Sequence, residues 1–289
     1  MTASAPAHQN KPAGVQRMPH GLVEYESKGG IATLTMTDPP ANTYTHEMMV
    51  DLDLAILKAR FDDEAHVIVL RGAGDKFFSA GANIKMLASV TPRFKYFFCL
   101  HANETLNRLE HTSKLVIAAL NGHTVGGGLE IAMAADLRIG WRNTGSGKEK
   151  QPMLGLPEVN LGVLPGTGGT QRLVRIVGKS RAIDMMTSGL NYTFAQGIEW
   201  GILTQTVEAP SAEEFMAKVY ALAAEYCPPN KASKAVGLIK RSCQSGAEVP
   251  FESALSIERE LQQQLFQSED AKEGIGAYNA KRKPAFKGK

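Results

Sequence analysis

The chain has 289 residues, 43% hydrophobic and 21% charged, with a formal net charge of +3. That composition supplies an ordinary core and excludes a disordered chain, and the charge is too small to mark a nucleic-acid protein. At roughly 150 residues per domain, the length suits one large domain or one domain with an appendage.

Residues 1–20, MTASAPAHQNKPAGVQRMPH, are polar and carry proline and glycine. They lack the apolar middle of a signal peptide and the arginine-rich pattern of a transit peptide, so a flexible N-terminal arm is expected. No run reaches the ~18 apolar residues of a membrane helix, so no membrane partner is expected. Cys99, Cys227 and Cys243 are far apart and odd in number, with no metal spacing and no disulfide framework. Reduced thiols and a cytoplasmic setting follow as expectations.

IATLTMT (31–37) predicts a strand by its β-branched content. Met48, Met49, Leu52, Leu54, Ile56 and Leu57 give helical spacing over 45–61. VIVLRG (67–72) and LVIAAL (115–120) read as buried strands, with a helix over 91–111 between them. An apolar helix follows GGG at 126–128, and DLRIGW (136–141) reads as a further strand. This alternation predicts an α/β layer architecture. From 167 onward helical periodicity takes over, at 169–177, 179–188, 211–226, 231–243, 251–267 and 269–280; only LTQTV (203–207) reads as extended. The expected division is an arm (1–20), an α/β core (21–207) and a helical C-terminal region (208–289). The polar WRNTGSGKEKQP (141–152) predicts a surface loop.

Three glycine-containing segments could hold an anion: AGAN (80–83), GGGLE (126–130) and GVLPGTGGTQR (162–172). A P-loop ending at Gly178-Lys179-Ser180 needs glycine where Leu173 stands, and a dinucleotide fingerprint from Gly166 needs one where Gln171 stands. Both nucleotide readings therefore fail. Glycine at a helix start lets a substrate oxygen approach N–H groups that lack internal partners. Such a donor, paired with another from AGAN, would suit an oxygen gaining negative charge, though close helix–strand packing explains glycine equally well. Glu130 sits among Leu129, Ile131, Ala132, Met133, Ala134 and Ala135. A carboxyl buried that way has a raised pKa and can move protons near neutrality; the plain alternative is a first-turn glutamate favoured by the helix dipole. Glu158, taken alone, reads as a solvated loop residue, and His123 as structural. The basic tail of Lys281, Arg282, Lys283, Lys287 and Lys289 reads as solvated or as phosphate-binding.

Taken together, FFSAGANIKML (77–87), NGHTVGGGLEIAMAADLRIG (121–140), LPEVNLGVLPGTGGTQRL (156–173) and FQSEDAKEGIGAYNAKRKPAF (266–286) resemble the enoyl-CoA hydratase/isomerase (crotonase) family. The similarity runs in order from about residue 22 to 286. It implies a spiral of ββα units with a C-terminal helical region that builds trimers, often stacked as hexamers. It also implies acyl-CoA thioester substrates and no metal or redox cofactor. By position, the N–H groups of Ala82 and Gly127 would form an oxyanion hole, and Glu130 and Glu158 would be the catalytic carboxylates of a 2-enoyl-CoA hydratase. Ala80, Lys85 and Lys281 match CoA-contacting positions, with Lys281 reaching a neighbouring subunit. Relatives that only shift a double bond commonly lack the first glutamate. A Δ3-Δ2 isomerase, a retro-aldol lyase or a thioesterase remains an alternative within the family, because one oxyanion hole serves several reactions; an RNA-binding member is an alternative of another class. Two departures stand out. Glu130 and Glu158 are 28 positions apart (130 to 158), more than usual in the family, with the extra length in 141–152. That insertion is expected at the surface, where loop length costs little; the alternative is that it reshapes the site near Glu158. Asn83 stands where many relatives have aspartate.

Overall fold

The apolar runs VIVLRG and LVIAAL are continuous because both faces of their strands are covered. In the computed structural model, which describes residues 14–145 and 151–289, the chain opens with β1 (Gln16–Arg17), β2 (Val23–Lys28) and β3 (Ile31–Met36), antiparallel in succession. Gly29 and Gly30 make the β2–β3 turn at φ 59° and 83°, where a side chain would be strained. Helix α1 (His46–Arg60) starts where the Thr45 hydroxyl accepts the Met48 N–H.

Three repeats of long strand, short strand and helical segment follow. The first is β4 (Val67–Gly72), β5 (Phe77–Ser79), α2 (Ile84–Ser89) and α3 (Pro92–Glu110). The second is β6 (Leu115–Leu120), β7 (His123–Val125) and α4 (Gly127–Met133). The third is β8 (Leu137–Asn143), β9 (Met153–Gly155), a 3-10 turn (Glu158–Leu161) and α5 (Gly169–Val177). Then come α6 (Lys179–Ser188), β10 (Asn191–Thr193), α7 (Phe194–Glu199), β11 (Gln205–Ala209) and α8 (Ala212–Ala224). Helices α9 (Ser233–Gly246), α10 (Phe251–Phe266) and α11 (Glu269–Asn279) end the fold.

Long strands β3, β4, β6, β8 and β11 pair in parallel, in the sheet order β1-β2-β3-β4-β6-β8-β11. The short strands build a second sheet, β10-β9-β7-β5, in which β5, β7 and β9 are parallel and β10 is antiparallel. This is the expected spiral of ββα units, with the expected helical C-terminal region. Strand alternation sorts the large sheet's side chains into two cores. Ile68, Leu70, Val116, Ala118 and Leu120 pack with α1, α3 and α4. Val67, Val69, Ile117 and Ala119 pack under Phe215, Met216, Val219 and Ala223 of α8. Each large apolar side chain so buried contributes about 1.5–3 kcal/mol relative to exposure.

Several boundaries differ from expectation. Residues 16–20, assigned to the arm, belong to the fold: β1 pairs with β2, Met18 is buried, and the His20 Nδ1 lies 2.9 Å from Asp51 Oδ1. The first 13 residues lie outside the described ones. The extended segment expected at 203–207 is β11, beginning two residues later. The expected loop 141–152 begins later too, because Trp141, Arg142 and Asn143 finish β8 beside β11. Trp141 is 3% exposed, and its Nε1 donates to the Ala209 carbonyl at 2.9 Å. Residues 146–150 of that loop are outside the described residues. Its two ends meet through Asn143 and Gln151, joined by hydrogen bonds of 3.1 and 2.6 Å.

Candidate active site

The small sheet brings the quoted motifs together. Ala80-Gly81-Ala82 follows β5, Gly126-Gly127 follows β7, and Leu156-Pro157-Glu158 follows β9. These three strands are parallel neighbours, so their C-terminal ends lie side by side, about 4.8 Å apart from strand to strand. Hydrogen bonds weld the exits: the Gly126 N–H donates to the Gly155 carbonyl at 2.8 Å, and Gly81 approaches Gly127 so closely that a Cβ on it would stand 2.7 Å from the Gly127 nitrogen.

All three glycines of GGG are accounted for by contacts. Gly126 holds φ 56°, and a Cβ there would lie 3.2 Å from Glu158 Oε1. A Cβ on Gly127 would overlap the Tyr44 hydroxyl, and one on Gly128 would overlap the Ser79 carbonyl. Packing and donor access, left open by the sequence, therefore coincide at one helix start. The Tyr44 N–H donates to the Gly81 carbonyl and the Asn83 N–H to the Tyr44 carbonyl, both at 3.0 Å. In this parallel bridge Ala82's own N–H points away from Tyr44. Neither the Ala82 nor the Gly127 N–H donates a hydrogen bond among the described residues.

Glu130 is buried, at 2% exposure. Its Oε1 accepts the N–H groups of Thr167 and Gly169, each at 2.7 Å. Burial raises its pKa, and these hydrogen bonds oppose the rise by favouring the charged form. The GVLPGTGGTQR segment thus aims its N–H groups at an oxygen of the protein itself, that of the Glu130 carboxyl. Glu158 begins the 3-10 turn and is half-buried, not the solvated loop residue it resembles in isolation. Burial, then the charge of Glu130, push its pKa up to about 7, and its buried Oε2 has no hydrogen-bond partner among the described residues. Lys95 of α3 lowers the pKa of both carboxyls.

Ala80 lies at the same strand exit, its N–H donating to the Ala41 carbonyl at 2.8 Å and its own carbonyl facing Gly126. Lys85 is exposed on α2, one turn past Ala82. Asn83 caps that helix by accepting the Met86 N–H at 3.1 Å, while its amide donates to Thr43 Oγ1 at 3.2 Å. Thr43 in turn donates to Asp38 Oδ2 at 2.7 Å, so Thr43 needs a donor at position 83, which an ionised aspartate is not. Lys281 is exposed at φ 52° in the turn after α11, and among the described residues no hydrogen bond or ion pair joins it to the site. The segment after it is tied down: Arg282 pairs with Glu273, and Asp270 accepts the Lys287 and Gly288 N–H groups. His123 is structural, its Nδ1 accepting the Met153 N–H at 3.0 Å.

Sequence reasoning missed Tyr44, Thr167 and Lys95. Thr167 lies inside a segment already marked by its glycines; Tyr44 and Lys95 carry no local signal, since only the fold brings α3 and the residues before α1 to the strand exits.

Among the described residues, no helix is long and apolar enough to cross a membrane. Comparison with known proteins gives one consistent family. The sequence model described as enoyl-CoA hydratase/isomerase matches residues 26–289. A short-chain-enoyl-CoA hydratase of Clostridium acetobutylicum is 34% identical over 263 residues, covering 89% of this chain and 94% of that protein. A crotonyl-CoA hydratase of Syntrophomonas wolfei is 31% identical, with 92% and 96% covered. A crystal structure of an enoyl-CoA hydratase from Geobacillus kaustophilus superposes with a TM-score of 0.86 at 41% identity, covering 93% of this chain and 97% of that one. With the match running from residue 26 to 289, across the repeats and the three strand exits alike, this chain belongs to the enoyl-CoA hydratase/isomerase family.

Proposed function

We propose that this crotonase-family enzyme is a 2-enoyl-CoA hydratase, adding water across the 2,3 double bond of an acyl-CoA thioester. The observation that carries the reading is the carboxyl pair at the glycine-lined strand exits. Glu130 is fixed by two N–H donors, and Glu158, without a partner on Oε2 among the described residues, has a pKa of about 7. The N–H groups of Ala82 and Gly127 bond the thioester oxygen and polarise the conjugated double bond, and each such donor is worth about 10²–10³ in rate. Water attacks the β-carbon; Glu130 takes its proton, and protonated Glu158 delivers one to the α-carbon. General acid–base steps contribute about 10²–10⁴ each.

The names of two relatives, one a short-chain-enoyl-CoA and one a crotonyl-CoA hydratase, support this reaction class. Ala80, Lys85 and Lys281 are proposed CoA contacts, the last across a subunit boundary in a homotrimer or hexamer. The chemistry needs no bound cofactor, and the three free cysteines suit a cytoplasmic setting. The test is to offer crotonyl-CoA and longer or aromatic 2-enoyl-CoAs and follow loss of the conjugated thioester absorbance. Loss that depends on Glu130 supports the reading. Absence of loss with every enoyl chain tried would defeat it and return the isomerase, retro-aldol and thioesterase readings.

A further inference from the structure

Tyr44 touches each part of the site by a different route. Its backbone brackets Ala82, through the Tyr44 N–H on Gly81 and the Asn83 N–H on Tyr44. Its ring fills the space that a Cβ on Gly127 would need. Its hydroxyl lies 2.9 Å from Thr167 Oγ1, both residues being buried, and the Thr167 N–H holds Glu130 Oε1. Stacking on Phe98, at 5.7 Å between ring centroids, keeps the phenol in place. Packing alone would be served as well by phenylalanine beside valine, because exchanging both members of a buried hydrogen bond for apolar groups of the same shape is nearly neutral. The hydroxyl pair stands where its geometry bears on the position of the Glu130 carboxyl.

We propose that Tyr44 is a positioning residue of this site: its hydroxyl fixes Thr167, and through Thr167 it holds the Glu130 carboxylate in register with the Ala82 and Gly127 N–H groups. The inference rests on the hydratase reading for its kinetic readout but not for its spectroscopic one. The Thr167 hydroxyl also favours the charged form of Glu130, and either hydroxyl can be the donor in its bond with Tyr44. Glu158 and Lys95 are the other charged groups coupled to Glu130.

The test uses Tyr44→Phe, Thr167→Val and the double variant of the full chain. For crotonyl-CoA hydration, each single change is expected to lower kcat about tenfold, the equivalent of one buried hydrogen bond, with KM nearly unchanged. The double variant should lose no more than the larger single loss, because both changes break one interaction. Wild-type kcat in either single variant, or losses that multiply, would overturn the proposal. A purely structural role would lower the melting temperature and leave kcat and the pH–rate profile alone. Independently of turnover, the infrared carboxyl band that disappears in Glu130→Gln should titrate at a shifted pH in Tyr44→Phe. An unmoved titration overturns the proposal even if the hydratase reading stands; an inactive wild type defeats that reading while the infrared result still decides this one.

Discussion

Glu130 and Gly169 are fitted to one another: the Gly169 N–H donates to Oε1 at 2.7 Å, and a Cβ on Gly169 would stand 2.8 Å from that same oxygen. The carboxylate therefore sits where it does because residue 169 has no side chain. Gly169→Ala should displace Glu130 by a fraction of an ångström and lower kcat by about 10–10², the sensitivity expected of a misplaced catalytic group. Substrate KM should move little. Steady-state kinetics with circular dichroism checks it; wild-type kcat in a folded variant would show that Glu130 tolerates the shift.

Removing the carboxyls themselves should act on the chemical step. Glu130→Gln and Glu158→Gln keep shape and remove the proton carriers, so each should lower kcat by about 10²–10⁴. Binding of the CoA portion should survive, as read by calorimetry with a saturated acyl-CoA. Full hydration activity in Glu130→Gln would exclude the two-carboxylate mechanism.

Glu158 also carries a stability signature whose sign is fixed. Its folded pKa of about 7 lies above the ordinary carboxylate value of 4.5, so between those values the folded state keeps a proton that the unfolded chain has released. Stability must fall as pH rises across that window. After allowance for its partial exposure, the cost at pH 8 is on the order of 2 kcal/mol. Glu158→Gln should therefore melt higher than wild type at pH 8, with the gap closing by pH 4. Differential scanning calorimetry at the two pH values reads it directly.

The long strands and long helices were legible because their period repeats. VIVLRG and LVIAAL are apolar runs long enough to read as strands buried on both faces, and α5 and α6 begin and end at the expected residues, 169–177 and 179–188. Strands β5, β7, β9 and β10 span three residues each, too few for any period to show, and their sheet exists only through pairing with one another. The site follows the same division. Local sequence marked the glycine segments and Glu130, whereas the surroundings that set the pKa of Glu158, and the contacts of Tyr44, are long-range. The insertion also becomes clearer. Its ends, Asn143 and Gln151, meet at the start of β9, whereas Glu158 follows the other end of that strand.

CoA contact can be separated from chemistry at the two lysines. Lys85→Ala should raise KM for acyl-CoA substrates several-fold with kcat unchanged, since a single exposed charge pairing contributes about 1 kcal/mol or less. Lys281→Ala should do the same only in an associated form of the protein, because its place on its own chain is the turn after α11. Measuring KM against protein concentration, alongside sedimentation, tests this. A concentration-independent effect would put the contact within one subunit.

The last prediction concerns a buried ion pair that ties the connection between α4 and β8 to α9. Lys240 Nζ lies 2.8 Å from Asp136 Oδ2, and the Val116 N–H donates to the same oxygen at 2.7 Å. Burial raises the Asp136 pKa and lowers that of Lys240, each in spite of its partner's opposite charge. Desolvation thus exceeds the attraction on both sides, and the pair is not a net source of stability. Breaking it is a different matter: Lys240→Met leaves a buried carboxylate unpaired and should cost about 3–5 kcal/mol by urea unfolding at pH 7. Adding Asp136→Asn keeps an acceptor for the Val116 N–H while removing the stranded charge, so the double variant should recover much of that loss. In Lys240→Met alone, the loss should shrink as pH falls and Asp136 takes up a proton, because a carboxyl with a raised folded pKa costs nothing below its unfolded-state pKa and reaches its full cost only above the folded one. A loss independent of pH would mean that the methionine disturbs the packing of α9 against β6 and leaves the charge of Asp136 unaffected.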